Sequence, residues 1–276
     1  MEFNRNVTQI LREYYMKKEE EFYIIDTHAH YDDEVFDNDR DELLKSFKDH
    51  NIKRVVNIGA SIQSSINSLE LARKYSFIYA VVGIHPSSAI EMNDENYLKL
   101  EELIKDEKTV AIGEIGLDYY YEEPSKQLQR KCFVKQLELA KEYEMPVVIH
   151  SRDAAKDTYD ILKEYKNVKG VIHCYSYSKE MAREFIKLGY VLGIGGVATF
   201  KNAKTLKEVI KDISFDDFVI ETDCPYLAPM PNRGKRNSSL NLKYIISTIS
   251  EVKAVSEDFV IQKAFKNAKK LYPKMK

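Results

Sequence analysis

The chain has 276 residues, 44% hydrophobic and 31% charged, which is enough apolar content for a sizeable core and excludes a disordered chain. Its 42 basic and 44 acidic residues leave a formal net charge of −2, which excludes a globally basic nucleic-acid binder but not a local basic patch. No apolar run approaches the roughly 18 to 20 residues that span a bilayer, and three cysteines without close pairing fit a reducing compartment, so no membrane contact and a cytoplasmic location are expected.

Residues 1–21 are polar and mixed in charge, without the zones of a signal peptide. They read as a short N-terminal extension outside the core, with Ile10, Tyr14 and Tyr15 on one face of a short helix. From residue 22 short β-rich runs alternate with helical periodicity, and 22–276 reads as one unit. Strands are expected at 22–26, 53–57, 78–83, 109–113, 146–149, 170–172, 190–194 and 218–221, each short and apolar as a strand buried on both faces should be. Between them Ile62, Ile66 and Leu69, then Phe133, Leu137 and Ala140, then Met181, Phe185 and Leu188 repeat at helical spacing. After the last strand come Leu242, Ile245 and Ile249, then Phe259, Phe265, Ala268 and Leu271. Eight strands alternating with helices over about 250 residues is the count of an α/β fold of the (β/α)8 TIM-barrel type. An open doubly wound sheet is the alternative, but the G-x-G-x-x-G turn of its nucleotide-binding forms is absent.

In a parallel barrel the active site sits at the C-terminal strand ends. Strand 1 leads to Asp26-Thr-His28-Ala-His30, and alternation puts both histidines on one side. Strand 3 leads to His85-Pro86, strand 4 to Glu114 and Asp118, and strand 5 to His150-Ser-Arg152-Asp153. Strand 6 leads to His173-Cys174, and strand 8 to Glu221-Thr-Asp223-Cys-Pro225. Five of the six histidines therefore gather at one face. Imidazoles with carboxylates suit Zn, Mn, Fe or Ni, and Glu114, midway among the histidines, can bridge two cations.

The motifs D-T-H-A-H, G-I-H-P, G-E-I-G-L-D-Y, V-I-H-S-R-D-A, H-C-Y-S and E-T-D-C-P-Y-L-A-P, in this order between residues 26 and 229, resemble the TatD family of metal-dependent deoxyribonucleases in the amidohydrolase superfamily. The resemblance continues through Arg233-Gly-Lys-Arg-Asn237. It implies a (β/α)8 barrel and a hydrolase with two divalent metal ions (Zn, Mn, Mg or Ni). One would be held by His28, His30, Glu114 and Asp223, the other by Glu114, His150 and His173. His85 and Arg152 would lie beside the scissile phosphate. The implied substrate is DNA, single-stranded or at 3′ ends, cut by a 3′-5′ exodeoxyribonuclease through a metal-activated water. A D-aminoacyl-tRNA deacylase, or another ester or amide hydrolase on the same barrel, is the alternative. Where the family continues with an acidic residue and proline, this chain has Ser238-Ser239.

On this reading Asp223, Glu114 and His85 are the catalytic residues, with Asp223 orienting the water and accepting its proton. Arg152, with Arg233, Lys235 and Arg236, would hold phosphates. Tyr119, Tyr120, Tyr121, Tyr175 and Tyr226 are candidates for stacking on bases. His50 is read as a helix-end histidine, Asp26 as structural, and Asp118 and Asp153 as groups that orient loops or ligand histidines. Cys132 is read as packing, and Cys174 and Cys224 as apolar fillers turned from the metals. A monomer is expected.

Overall fold

A computed structural model describes residues 22–276; the expected extension over 1–21 lies outside the described residues. Eight strands follow one another: β1 Ile24–Ala29, β2 Ile52–Ile58, β3 Ile78–Val82, β4 Thr109–Asp118, β5 Val147–Arg152, β6 Gly170–Ile172, β7 Val191–Ile194 and β8 Phe218–Ile220. Each pairs in parallel with its neighbour in sequence, and a parallel bridge between Ala29 and Cys224 draws the end of β1 to the segment after β8, so the sheet curls into the expected barrel. Helices α1 Arg40–Ser46, α2 Ile62–Lys74, α3 Asp94–Ile104, α4 Lys126–Glu142, α5 Ala155–Glu164, α6 Lys179–Lys187, α7 Lys204–Asp212, α8 Leu242–Lys253 and α9 Glu257–Leu271 complete the alternation. No helix among the described residues is long and apolar enough to cross a membrane.

Alternation along the strands explains the two cores. Ile25, Val56, Val81, Ala111, Val148, Val171 and Val219 pack on one another, as residues from successive strands do inside a closed sheet. Phe265, Ala268, Leu271 and Tyr272 of the C-terminal segment join them. The intervening residues, among them Val55, Ala80, Ile112, Val147, Ile172 and Ile220, pack with Leu69, Phe133, Leu137, Phe185 and Ile245 from the helices. Five helices begin at a polar cap: the side chains of Ser61, Asn93, Ser125, Ser178 and Ser256 each accept a backbone N–H of the first turn.

Three strands run further than their sequence patterns predict. β1 continues through His28, β4 through Glu114 to Asp118, and β5 through His150 to Arg152. In β4 the glycines look like strand breakers, yet Gly116 pairs with His150 at φ 143°, and a Cβ there would lie 1.9 Å from the His150 carbonyl oxygen. That glycine permits a close approach of two backbones. His28, Glu114 and His150 therefore stand on strands.

Candidate metal centre

The six groups expected to ligate metal converge at the C-terminal end of the barrel. His28 Nε2 and His30 Nε2 face each other at 3.1 Å, and Asp223 Oδ1 lies 3.5 Å from the first and 3.4 Å from the second. The Glu114 carboxylate stands between two pairs of imidazoles. Its Oε2 is 3.5 Å from His28 Nε2 and 4.0 Å from His30 Nε2; its Oε1 is 2.8 Å from both His150 Nδ1 and His173 Nε2. The rings of His28 and His173 stack at 4.0 Å.

The ends of β1 and β8 are laced together. Asp223 has a left-handed backbone (φ 57°), and its N–H donates to the His28 carbonyl at 2.9 Å. The His30 N–H donates to the Cys224 carbonyl at 2.8 Å. Buried Asp26 accepts Thr222 Oγ1 at 2.7 Å, the Thr222 N–H at 3.0 Å and Ser239 Oγ at 2.6 Å. Asp26 is thus a strut between strands. The Ser238-Ser239 departure also finds its place here, because Ser239 is buried with its hydroxyl on Asp26 and its N–H on the Tyr31 hydroxyl. Asn237 Nδ2 pins the same loop through the carbonyls of Thr222 and Tyr226.

The charges answer one another. Burial pushes the Glu114 carboxyl up, but His173 and His85, with hydrogen bonds from His150 and His173, hold it well below the usual range. Asp223 is likewise held low against its burial, by a hydrogen bond from His30 and by His173 and His28. Burial works against a charge on His30, yet Asp223 and Glu114 raise it to about 9. Desolvation and the charge of His173 lower His28. Asp118, 3.2 Å from His150 Nε2, supports that ring from behind, as the Ile58 carbonyl supports His30 Nδ1 at 2.9 Å.

A cavity of about 690 Å³ opens over this floor. Among its lining residues are His85, Arg152 and Tyr226, with Asp32 and Asp33 on one wall. The Ser87 N–H donates to His85 Nδ1 at 3.1 Å, which makes that nitrogen the acceptor and leaves the proton on Nε2. Desolvation lowers His85 to about 3, so the ring is neutral and presents one N–H donor. The Arg152 guanidinium lies 3.7 Å from the Tyr120 ring centroid.

Other residues fall elsewhere. Arg233, Lys235 and Arg236 do not line the cavity: Arg233 sits over Phe200, and Arg236 pairs with Asp39 and donates to the Val35 carbonyl. Tyr175 is in the core, 2% exposed, with its hydroxyl on the Ser178 carbonyl, so it is no stacking platform. Tyr119 is half-buried, with its hydroxyl on Asp157. Tyr120, Tyr121 and Tyr226 are exposed. Cys174 lines the cavity, contrary to the alternation rule, because β6 stops at Ile172 and Cys174 turns left-handed (φ 46°). Burial pushes its thiol up to about 12, so it stays protonated. Cys224 is buried, Cys132 packs in α4, and His50 ends a short helical turn, as expected.

Two features escaped the sequence patterns. Asp32 and Asp33 lie two and three residues after His30, and that proximity is their only sequence signal; Asp32 is held by Ser64 Oγ at 2.6 Å and Asn57 Nδ2 at 2.8 Å, and Asp33 by the Tyr226 hydroxyl at 3.0 Å. Glu221, two residues before Asp223, is fully buried behind His173.

The donor set fits divalent cations. The nitrogens that share N–H···N hydrogen bonds at 3.1 Å (His28 and His30) and 3.3 Å (His150 and His173) become donors to a divalent ion once those protons leave. Donor atoms of His28, Glu114 and His173, and of His28, His30 and Asp223, lie within 4.8 Å of one another.

The TatD related DNase family profile matches residues 25–273. The chain is 42% identical over 251 residues to YabD, an uncharacterized metal-dependent hydrolase of Bacillus subtilis, covering 90% of this chain and 98% of that protein. It is 30% identical over 256 residues to YcfH of Escherichia coli, also an uncharacterized metal-dependent hydrolase, covering 91% and 96%. The solved structure of YJJV, a TatD homolog from Escherichia coli K12, superposes with a TM-score of 0.86 at 28% identity, over 91% of this chain and 98% of that one. A phosphotriesterase homology protein from Escherichia coli, solved with phosphate in its active site, shares the fold alone, with a TM-score of 0.67 at 13% identity over 91% of this chain and 98% of that one.

Proposed function

The chain belongs to the TatD family of metal-dependent hydrolases, and from that premise we propose that it hydrolyses phosphodiester bonds of DNA, removing nucleotides from 3′ ends. The observation that carries this reading is the Glu114 carboxylate set between two imidazole pairs, beneath a cavity bordered by His85 and Arg152. We assign His28, His30, Glu114 and Asp223 to one divalent ion and Glu114, His150 and His173 to a second, with residues 22–276 as the hydrolase unit. Bound there, such ions supply the activation of water and the neutralisation of phosphoryl charge.

The chain's own residues do the rest. Asp223, kept ionised by its histidine neighbours, orients a water for attack on phosphorus and takes its proton. His85 directs its Nε2–H as a hydrogen-bond donor to a phosphoryl oxygen or to the leaving oxygen. Arg152 is open to solvent on the side where flanking phosphates would enter. Tyr120, Tyr121 and Tyr226 offer exposed rings to bases.

One observation favours a second reading. Asp32 and Asp33 make one cavity wall acidic, which suits the ammonium group of an aminoacyl ester better than a phosphate. Comparing initial rates on a single-stranded oligonucleotide and on D-aminoacyl-tRNA, with Mg, Mn or Zn present, separates the two. DNA digestion that chelator and Glu114→Ala both abolish supports the nuclease; robust digestion surviving both rejects the site.

A further inference from the structure

We propose that Glu221 is a positioning residue of the metal centre, accepting the Nδ1 proton of His173 and so turning the lone pair of His173 Nε2 toward Glu114. This rests on the reading of His173 as a metal ligand.

Glu221 directly follows β8 and is fully buried. One carboxylate oxygen accepts the Cys174 N–H at 2.5 Å and lies 3.6 Å from His173 Nδ1. That separation is within about half an ångström of a hydrogen bond. The other oxygen, Oε2, and His173 Nδ1 are both buried with no hydrogen-bond partner among the described residues. A buried carboxylate oxygen without a donor is costly, and an imidazole N–H without an acceptor is too. The Glu221 carboxylate is the acid group that stands beside that N–H.

The seat for this carboxylate is built into the neighbouring strand. A Cβ at Gly193 in β7 would lie 2.3 Å from Glu221 Oε2 and 2.6 Å from its Oε1. Any side chain there would occupy the carboxylate's place. The arrangement also repeats a pattern in the same centre. His150 presents Nδ1 to Glu114 and has Asp118 behind its Nε2; His173 presents Nε2 to Glu114 and has Glu221 behind its Nδ1. Both imidazoles assigned to the second ion thus carry a carboxylate on the far nitrogen. Such a partner selects the tautomer, fixes the ring and raises its basicity.

Glu221→Gln discriminates well. The amide leaves one uncharged oxygen to serve both the Cys174 N–H and His173 Nδ1 and puts an N–H₂ in place of Oε2. That weakens the acceptor that holds the proton on Nδ1, so the tautomer with the proton on Nε2, which cannot bind metal through that nitrogen, gains population. Zn²⁺ affinity, measured by chelator competition on the full chain, is expected to fall tenfold to a hundredfold. The Co²⁺ d–d absorption spectrum is expected to change in position or intensity. Glu221→Asp, which keeps the charge but draws it back, is expected to fall between the two, and it carries the test if the glutamine variant does not fold. Metal-free melting curves establish which variants fold. A folded variant with wild-type affinity and an unchanged Co²⁺ spectrum overturns the proposal alone. A wild-type chain that takes up no metal, or a His173→Ala variant that binds as tightly as wild type, overturns the ligand reading and the proposal with it.

Discussion

In the metal centre His28, Glu114 and His173 are at most 6% exposed and answer one another; towards the rim Tyr226, which lines the cavity, and Tyr120 and Tyr121, beside Arg152, are more than half exposed. The floor groups sit on or beside strands whose other residues fill the barrel, so their positions are over-determined. The rim groups sit on the loops after β4 and β8, where side chains are free to adapt to what binds. A charge on the floor exists because its partners are there, and removing one partner strands the others. A charge on the rim is screened by water and loses little when its partner goes.

The largest expected effects lie on the floor. Glu114→Ala should lower hydrolysis by about 10³-fold or more, because it removes the group shared by both proposed ions. Metal content measured on the same preparation should drop, and a variant that keeps full metal and full rate would break the contrast. Asp223→Asn keeps the shape but removes the proton acceptor, so kcat should fall by about 10² to 10⁴-fold. The loss should be largest below neutral pH, where hydroxide from solvent is scarcest.

On the rim the effects shrink. Arg152→Ala should raise KM for an oligonucleotide about tenfold, leave kcat within about twofold, and flatten the dependence of KM on salt. Equal loss in kcat would move Arg152 from the rim to the reacting phosphate.

The pH behaviour of the metal-free chain sharpens the comparison. His30 is raised from 6.5 to about 9, so its proton binds more tightly in the folded state. That contribution is fully present below 6.5 and is lost as pH rises through about 9. In chelator, the melting advantage of wild type over His30→Gln should therefore be greater at about pH 6 than at about pH 9.5. Added metal should stabilise more as pH rises, since it must displace that proton. An advantage that grows with pH in chelator would contradict the charge balance drawn for the floor.

The smallest effect is expected at Arg233, Lys235 and Arg236. None lines the cavity, and Arg236 is engaged with Asp39. Arg236→Ala should cost at most about 1 kcal/mol of stability, and the three alanine variants should each change KM by less than about twofold. A tenfold rise in any of them would return that loop to the substrate path.

Much of the barrel was legible because its signals are local. Short apolar runs repeat eight times, apolar residues recur at helical spacing between them, and five histidines recur at strand ends. Strand limits were less legible. Glycines in β4 look like breakers and act as points of close approach, a property of the neighbouring strand β5. Likewise the roles of Arg236, Tyr175 and Cys174 depend on what lies across the fold: Asp39, the core, and a left-handed turn.

By itself the sequence determined which donors the chain owns and in which order they arrive at one end of a barrel, since alternation and periodicity are properties of consecutive residues. Only the tertiary structure decided which atoms meet. Glu114 lies between two imidazole pairs, Ser239 rests on Asp26 some 213 positions away, and Glu221 stands behind His173 in a space that Gly193 leaves open. Those pairings come from closing the sheet, which brings distant strand ends within hydrogen-bonding reach and sets their separation by packing.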